Sequence, residues 1–483
     1  TDTEDGTTVR FRTAYDVTLW PIEIEEAVME SADSYDFLDD TDISTVLRIR
    51  LSASGKAALS ELETDRLRFH ITGEMGMAGA IYETLFSNLA GITLVPDGDK
   101  KRPSSIALDD LKPVGFEPEE ALLPHPPHAH PAYRLVQEYF AFPEKFLFFD
   151  LMGLLGHEAE KTLDILFLLK TNPREPLAVT DETFQLGCTP VINLFQRTSE
   201  PIRVTHLDSR YRLVPDHRFE KTTEIHSILS LSASADPREE AREYAPFFSF
   251  KHASVENEHT AFWYATREET ERADLRGTHV HLSFVDLKFQ PHAPAGETVF
   301  AHTLCTNRGL ADQLPPNAAL QIEDAVPVTA ITAIKKPTQQ MYAALGGPSL
   351  WRLVSHLSVN YLSLAGGVEG LHALREILKL YAISSRPATE QQILGIRDMT
   401  CRQVTRRLGR DHWRGFVKGT EIKLTLDERF FVGSSAFLLA SVLNRFFGLY
   451  ASMNTFTQLK IENAQIEGDW KTWPPVAGAQ SGL

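Results

Sequence analysis

A stiff proline- and histidine-rich segment, followed by a short helix and an aromatic run, constrains the fold of this chain more than any other feature. Residues 122–150 read LLPHPPHAHPAYRLVQEYFAFPEKFLFFD. The prolines fix φ and bias the residues before them towards extended backbone. Pro131 suits the first turn of a helix that ends before Pro143, and residues 146–149 predict a buried strand. No enzyme chemistry requires this combination, and the pattern is typical of a structural building block.

The composition is that of an ordinary multidomain globular protein. The chain has 483 residues, 43% of them hydrophobic and 23% charged, which argues against disorder and against a membrane protein. At the usual domain size of about 100–200 residues, two to four domains are expected. The formal net charge of −17 disfavours nonspecific binding to nucleic acid or anionic lipid as the main function.

The cysteines and the hydropathy pattern indicate a reducing, non-membrane environment. Cys188, Cys305 and Cys401 lie far apart and lack CxxC spacing, so a cytoplasmic protein is expected. Cys188 precedes a Thr-Pro turn, and we interpret it as a small buried residue rather than a nucleophile. No apolar run approaches the roughly 20 residues of a spanning helix, and no signal peptide opens the visible chain. We therefore expect no direct membrane insertion.

The hydrophobic patterning predicts an α+β fold in three consecutive regions. Residues 1–120 predict a mixed α/β domain, in which residues 23–42 form a solvated acidic loop. Residues 121–335 predict a β-rich central domain entered by the proline and histidine segment. Residues 336–483 predict a helical and α/β C-terminal domain. Within it, residues 437–453 are apolar on all sides, so we expect them to be buried in their own domain or against another subunit.

One basic window and this apolar helix supply the candidate interface residues. The window IRDMTCRQVTRRLGRDHWRG interleaves arginine with tryptophan. Three interpretations stay open: binding of a nucleic acid backbone, a solvated face, or a contact with another protein. Because the chain has an excess of acidic residues, we expect no nucleic acid partner. The candidate interface residues are Arg397, Arg402, Arg406, Arg407, Arg410, Trp413, Arg414, Phe446, Phe447 and Tyr450.

Three glycines resemble a nucleotide-binding motif more than any other part of the sequence does. Gly73, Gly76 and Gly79 lie between a predicted strand and a predicted helix, as phosphate-binding glycines would. The spacing is GxxGxxG rather than GxGxxG, and Glu74 stands where a glycine would let the backbone approach a pyrophosphate. Its carboxylate would repel that ligand. We therefore interpret the glycines as a tight turn with close helix packing, and we expect no cofactor.

Two groups of histidines have spacings that resemble those of metal ligands. His125, His128 and His130 are close in sequence, but an extended segment points alternating side chains apart. His279 and His281 share one face of a predicted strand and have no visible third ligand. We interpret both groups as surface or hydrogen-bonding histidines, and we expect no metal.

Several longer segments, in order along nearly the whole chain, resemble the TssF family, also called VasA or ImpG, of the bacterial type VI secretion baseplate. Beside the stretch described first, these are VRFRTAYDVTLWPIEI at 9–24, LGCTPVINLFQRTSEPIRVTH at 186–206, LCTNRGLADQLP at 304–315, LWRLVSHLSVNYLSL at 350–364 and FLLASVLNRFFGLYASMNTFTQLKI at 437–461. The chain begins in the family's first strand region, so we expect that the N-terminal helical segment of a complete member is absent from it.

The resemblance implies a noncatalytic structural subunit. It implies a baseplate wedge of two TssF copies and one TssG, with further contacts to TssK and TssE, and six wedges around a VgrG hub beneath the contractile sheath. It also implies assembly at the inner face of the inner membrane through the secretion apparatus. A wedge protein of a contractile phage is the alternative within this class, and a nucleotide- or metal-dependent soluble enzyme is the alternative from another class.

Overall fold

The computed structural model describes most of the chain. The described residues are 6–38, 42–125, 129–171, 177–205, 207–234, 242–247, 261–272, 275–286, 297–323, 326, 328–357, 367–382, 387–407 and 415–478.

Helices and strands alternate along these residues in an α+β arrangement, which confirms the predicted class. The α-helices are α1 Met75–Ser87, α2 Pro131–Ala141, α3 Gly347–Leu357, α4 Val368–Tyr381, α5 Pro387–Leu394 and α6 Ala436–Tyr450. The strands are β1 Arg12–Thr13, β2 Ile22–Ser31, β3 Thr45–Ala53, β4 Leu67–Ile71, β5 Leu89–Pro96, β6 Ser104–Ile106, β7 Leu111–Val114, β8 Phe148–Leu151, β9 Thr162–Leu169, β10 Phe184–Gln185, β11 Val191–Ile192, β12 Phe195–Thr198, β13 Ile202–Arg203, β14 Tyr211–Leu213, β15 Glu224–Ser234, β16 Arg242–Pro246, β17 Ala261–Glu269, β18 Thr278–Asp286, β19 Thr298–Thr306, β20 Ala319–Leu320, β21 Ile331–Thr332, β22 Ile396–Arg407, β23 Phe416–Leu426, β24 Phe456–Asn463, β25 Ile466–Thr472 and β26 Val476–Ala477. No helix in this part of the chain is long and apolar enough to cross a membrane.

The chain folds into two compact units, each built from two stretches of sequence. The first unit comprises residues 1–13 and 191–350, and the second comprises residues 14–190 and 351–483. These units cut across the three consecutive regions expected from the sequence. The reason is long-range pairing: β1 pairs with β11, which brings the start of the chain into the first unit. Local patterning carries no information about such pairing.

The first unit is built on an eight-stranded sheet. Its strand order is β12-β19-β15-β16-β17-β18-β14, and β13 also pairs with β19. Neighbouring strands are antiparallel except β16 and β17, which are parallel. The buried face includes Leu231, Leu282, Val299 and Ala301, each completely excluded from solvent. The β-rich character predicted for the centre of the chain is therefore confirmed.

The second unit contains three sheets that share one hydrophobic core. Two are antiparallel, with strand orders β2-β3-β9-β5-β6 and β10-β4-β8-β7. The third has the order β22-β23-β24-β25, and β26 also pairs with β24. Phe69 and Phe149 stack at 5.1 Å between ring centroids, and both contribute to the core together with Phe167. Burial of these rings supplies the main driving force for assembling the layers.

Helix α6 is the crossover between two parallel strands of the third sheet. β23 and β24 run parallel, and such a pair needs a long connection rather than a tight turn. The connection carries α6, which packs on β24 and also on α1 and α2. Neighbours on several sides explain why the helix is apolar all round.

The helix expected after the proline and histidine segment is α2. Pro131 is its first residue, and Nδ1 of His130 accepts a hydrogen bond from the backbone N–H of Ala132 at 3.2 Å. A 3-10 turn begins at Pro143 and leads into β8. The strand predicted for residues 146–149 therefore begins at Phe148, two residues later than expected.

The acidic loop predicted for residues 23–42 is wrong for residues 23–31, which belong to a strand. Residues 22–31 form β2, in which Glu26 and Glu30 each accept a hydrogen bond from Nη2 of Arg48 at 3.0 and 2.9 Å. A β-bulge between Ile24 and Glu26 shifts the register against β3. Because a bulge inserts one extra residue, it breaks the alternation of period two that would have indicated a strand.

Candidate interaction surface

The arginine-rich window forms an exposed strand at the edge of a sheet. Among the described strands, β22 pairs only with β23. Met399 is 1% exposed and belongs to the core, whereas the side chain of Arg402, on the opposite face, is 75% exposed. Of the predicted residues, Arg397, Arg402, Arg406 and Arg407 lie on β22, whereas Arg410, Trp413 and Arg414 lie outside the described residues.

One carboxylate on the neighbouring strand faces three cations of this surface. Glu421 of β23 is 3.3 Å from Nη2 of Arg402, 2.7 Å from Nη2 of Arg406 and 3.5 Å from Nζ of Lys460. Its side chain is only 11% exposed. The carboxylate positions both arginines, but one negative charge cannot neutralise three positive ones, so the surface keeps a local positive excess.

The two strands together are basic in an acidic chain. β22 and β23 contain six basic and two acidic residues, a formal charge of +4 against −17 for the whole chain. The exposed aromatic ring of Phe416 begins β23 and is 78% accessible. This composition, arginine beside an exposed aromatic residue, is typical of protein interfaces.

Arg397 lies at the other end of β22 and has a structural role. Its guanidinium is 3.3 Å from Oδ2 of Asp427 and stacks on the ring of Phe430 at 3.9 Å. Asp427 is nearly excluded from solvent and also accepts hydrogen bonds from Arg429. Hydrogen bonds from Arg429, the largest cause, and from Gln465 hold the pKa of Asp427 well below its ordinary value. We therefore assign Arg397 a structural role, although its side chain is 42% exposed.

Three candidate interface residues belong to the core instead. Phe446, Phe447 and Tyr450 of α6 are 0%, 1% and 8% exposed. The ring of Phe446 stacks with that of Tyr450 at 5.6 Å, and the hydroxyl of Tyr450 lies 3.2 Å from that of Tyr133. Of the two alternatives left open for this helix, the structure supports burial within its own unit. These residues are not part of an exposed interface.

A buried ion pair that sequence reasoning missed anchors the proline and histidine segment. The side chains of Glu138 and Lys145 are both completely excluded from solvent and form a salt bridge. Oε1 of Glu138 accepts hydrogen bonds from the backbone N–H groups of Leu122 and Leu123 at 2.8 and 2.9 Å, and Nζ of Lys145 donates to the carbonyl of Glu120 at 3.0 Å. The pair therefore ties the start of the segment to α2.

The buried lysine predicts a specific pH dependence. Burial lowers the pKa of Lys145 to about 8, from an ordinary value of 10.5. Between these values the unfolded chain binds more protons than the folded chain, so this group makes the free energy of unfolding rise with pH. We expect the wild type to gain stability relative to Lys145→Met between about pH 8 and pH 10.5. Urea denaturation of both proteins measures this, and parallel pH profiles would contradict it.

The three glycines form a turn and a helix contact, as interpreted from the sequence. Gly73 has a φ of +114° in the turn before α1. A Cβ on Gly79 would lie 2.6 Å from Cβ of Ser435, the residue that caps α6. The helix spacing therefore requires a glycine at position 79, and phosphate binding is not needed to explain it.

This contact predicts opposite effects at two glycines of α1. Alanine usually stabilises a helix over glycine by about 0.5–1 kcal/mol. Gly79→Ala should instead destabilise the chain by about 1–3 kcal/mol, because the added methyl overlaps Ser435. The control, Gly76→Ala, meets no atom within 4 Å and should be neutral or stabilising. Chemical denaturation tests the pair, and equal effects would rule out the packing explanation.

His130 and His279 make hydrogen bonds, whereas Nδ1 of His281 is buried without a hydrogen-bond partner among the described residues and lies 3.8 Å from Oε2 of Glu268. His279 is 2.9 Å from Arg212 and 2.6 Å from the hydroxyl of Thr270, and burial is the first cause that lowers its pKa. His128 lies outside the described residues. Across the part of the chain that the structure describes, no group of three or more His, Cys, Asp or Glu side chains could hold a metal ion.

Cys188 also has the environment of a packing residue. Burial raises the pKa of its thiol to about 11, so the nucleophilic thiolate is scarce at neutral pH. The residue packs beside Tyr15 and Phe148. A reactive cysteine needs the opposite shift.

Comparison with known proteins agrees with the segments noted in the sequence. The family model described as "Type VI secretion system, TssF" matches residues 1–480. The chain is 31% identical over 502 residues to the type VI secretion system component TssF1 of Pseudomonas aeruginosa, covering 99% of this chain and 80% of that protein.

Solved structures share the fold. A chain of the cryo-electron microscopy structure of the type VI secretion system TssK-TssF-TssG baseplate subcomplex matches with a TM-score of 0.76 and 25% identity, covering 99% of this chain and 86% of that one. A chain of a baseplate complex from the type VI secretion system matches in fold with a TM-score of 0.59 at 24% identity, covering 100% of this chain and 80% of that one. From the family match and the identity to TssF1, the chain belongs to the TssF family of the type VI secretion system.

Proposed function

We propose that this chain is a noncatalytic structural wedge subunit of the type VI secretion baseplate. The observation that carries the proposal is the likeness over 99% of the chain to a chain of the TssK-TssF-TssG baseplate subcomplex, at a TM-score of 0.76. Likeness over nearly the whole chain means that both units are accounted for by a subunit of that assembly. No part of the fold then requires a separate activity.

The partners follow from the solved complex and from the family resemblance. The solved subcomplex joins TssF with TssK and TssG, and we propose that both of these proteins bind this chain. The resemblance adds a second copy of the chain, TssE, the VgrG hub and neighbouring wedges, assembled at the inner face of the inner membrane through the secretion apparatus.

The proposed mechanism is mechanical. A wedge subunit holds one ring geometry before firing and changes its contacts when the sheath contracts, which requires rigid bodies with exchangeable interfaces. The shared core of the second unit and its buried Glu138–Lys145 pair suit a rigid body. The edge strand β22, with its positive excess, suits an interface that depends on charge.

Copurification tests the proposal. We expect a tagged full-length form of this protein to retain TssG and TssK from the same organism after coexpression and washing at moderate salt. Tagged TssG expressed without this protein provides the control for indirect capture of TssK. Failure to retain either partner would contradict the proposed role.

Titration calorimetry with nucleotides and metal analysis of the purified protein test the enzyme alternative. We expect neither micromolar nucleotide binding nor stoichiometric metal. Either result would favour an enzyme, because a purely structural subunit has no use for these ligands.

A further inference from the structure

Two long edge strands of the second unit carry opposite charges. β2 is the outermost strand of the first antiparallel sheet, and β22 is the outermost strand of the C-terminal sheet. β2 contains four glutamates and no basic residue, whereas β22 contains four arginines and one aspartate. An edge strand presents backbone N–H and C=O groups that can pair with a strand of another molecule.

The basic edge has cations in excess of the anions around it. Glu421 is the carboxylate shared by Arg402, Arg406 and Lys460. The side chains of Arg402 and Arg406 remain 75% and 38% exposed although both contact it. A further carboxylate placed along the outer side of β22 would therefore meet guanidinium groups that the chain's own acids do not neutralise.

The acidic edge has the reverse imbalance. Glu26 and Glu30 both pair with the same cation, Arg48. Glu23 and Glu25 are exposed, and neither forms an ion pair within the described residues. The 3-10 turn Asp181–Thr183 lies beside β2 and adds two exposed carboxylates. This edge therefore repels another acidic strand and attracts a basic one.

We propose that β2 of one copy of this chain pairs with the outer edge of β22 in a second copy, in a head-to-tail contact. Opposite charges then lie across the new strand pair, which stabilises it, whereas pairing of β2 with β2 or of β22 with β22 places like charges together. The bulge between Ile24 and Glu26 leaves residues 26–31 as the regular part of β2, and β22 has twelve residues, so the two strands can form a ladder of about six residues on the β2 side. The inference rests on the charges and topology of the second unit, and its test is separate from that of the baseplate role.

The head-to-tail geometry has a consequence for assembly. A contact between two different surfaces leaves one acidic edge and one basic edge unpaired in every pair of copies. Association of the purified chain should therefore continue beyond two copies as concentration rises, unless another subunit covers the remaining edges.

Reversing the charge of one edge at a time tests the contact. The first variant carries Arg402→Glu and Arg406→Glu, and the second carries Glu23→Arg and Glu25→Arg, which leaves the contacts of Arg48 intact. Each alone should weaken self-association of the full chain by about tenfold or more, since two charges on one side of the contact change sign. Sedimentation velocity over a concentration series at low and high salt measures the change.

Mixing the two variants distinguishes direct pairing from a general charge effect. The first variant keeps a native β2 and the second keeps a native β22, so a one-to-one mixture should associate more tightly than either variant does alone. A control variant, Lys101→Glu with Arg102→Glu, makes the same change in net charge as the first variant at an exposed site on neither strand and should associate like the wild type.

The outcomes separate the possible explanations. Circular dichroism must first establish that each variant is folded. If the variant with Arg402→Glu and Arg406→Glu is unfolded, because Glu421 then faces like charges, the double variant Arg402→Gln with Arg406→Gln is used in its place. It should weaken association less, but in the same direction. A wild type that stays monomeric at its highest attainable concentration, or a mixture that does not associate, would overturn the proposal. Variants that lose TssG but not self-association would also overturn it and assign the edge to a different protein.

Discussion

Replacing Phe446 with alanine is expected to destabilise the isolated chain by about 3–5 kcal/mol. The ring is completely buried in α6, where it packs on Phe447 and Tyr450. Removing it forfeits the transfer free energy of the ring and leaves a cavity that the crossover helix cannot easily close. Chemical denaturation of the purified variant measures this loss.

A second phenylalanine provides the matched control. Phe416 is 78% exposed at the start of β23, so Phe416→Ala should change the free energy of unfolding by less than about 0.5 kcal/mol. If Phe446→Ala were as stable as this control and lost only its binding to partners, the assignment of α6 to the core would be wrong.

Removing one member of the buried Glu138–Lys145 pair is expected to cause the second large loss in the free energy of unfolding. Lys145→Met should cost about 3–5 kcal/mol, because it leaves the buried carboxylate of Glu138 with only the more distant Arg134, at 3.8 Å, as a cation. Glu138→Leu should cost a similar amount, since it also removes the acceptor of the Leu122 and Leu123 backbone N–H groups.

The double variant Glu138→Leu with Lys145→Met measures the interaction free energy between the two side chains, apart from their contacts with other residues. It should be more stable than the sum of the two single losses predicts, because the loss of the Glu138–Lys145 contact is then counted once instead of twice. Arg134 loses its 3.8 Å contact with Glu138 both in Glu138→Leu and in the double variant, so that loss does not affect the comparison. Denaturant midpoints of the four proteins complete the cycle. Strict additivity would show that the two side chains act independently, contrary to the direct salt bridge.

Strong local periodicity could be predicted from the sequence. The apolar residues Leu374, Ile377 and Leu378 of α4 recur at helical spacing, and the alternation of Ile422 and Leu424 in β23 matches the buried face of its sheet. Pro131 likewise predicts the start of α2 from local sequence alone. In each case neighbouring residues carry the information themselves.

Features that depend on distant partners could not be predicted in the same way. The bulge in β2 hid a strand within an acidic segment, and the pairing of β1 with β11 joined two stretches that lie far apart in the sequence. The Glu138–Lys145 pair is visible only once the backbone of Leu122 is placed against α2. Sequence pattern likewise located the arginines but not Glu421, whose position gives their surface its charge imbalance.

Native mass measurement of the full-length protein coexpressed with TssG tests the wedge assignment most directly. The resemblance to TssF and the fold shared with the baseplate subcomplex lead us to expect two copies of this chain for each TssG. A stable complex of one copy with one TssG, unchanged when this chain is in large excess, would contradict the account.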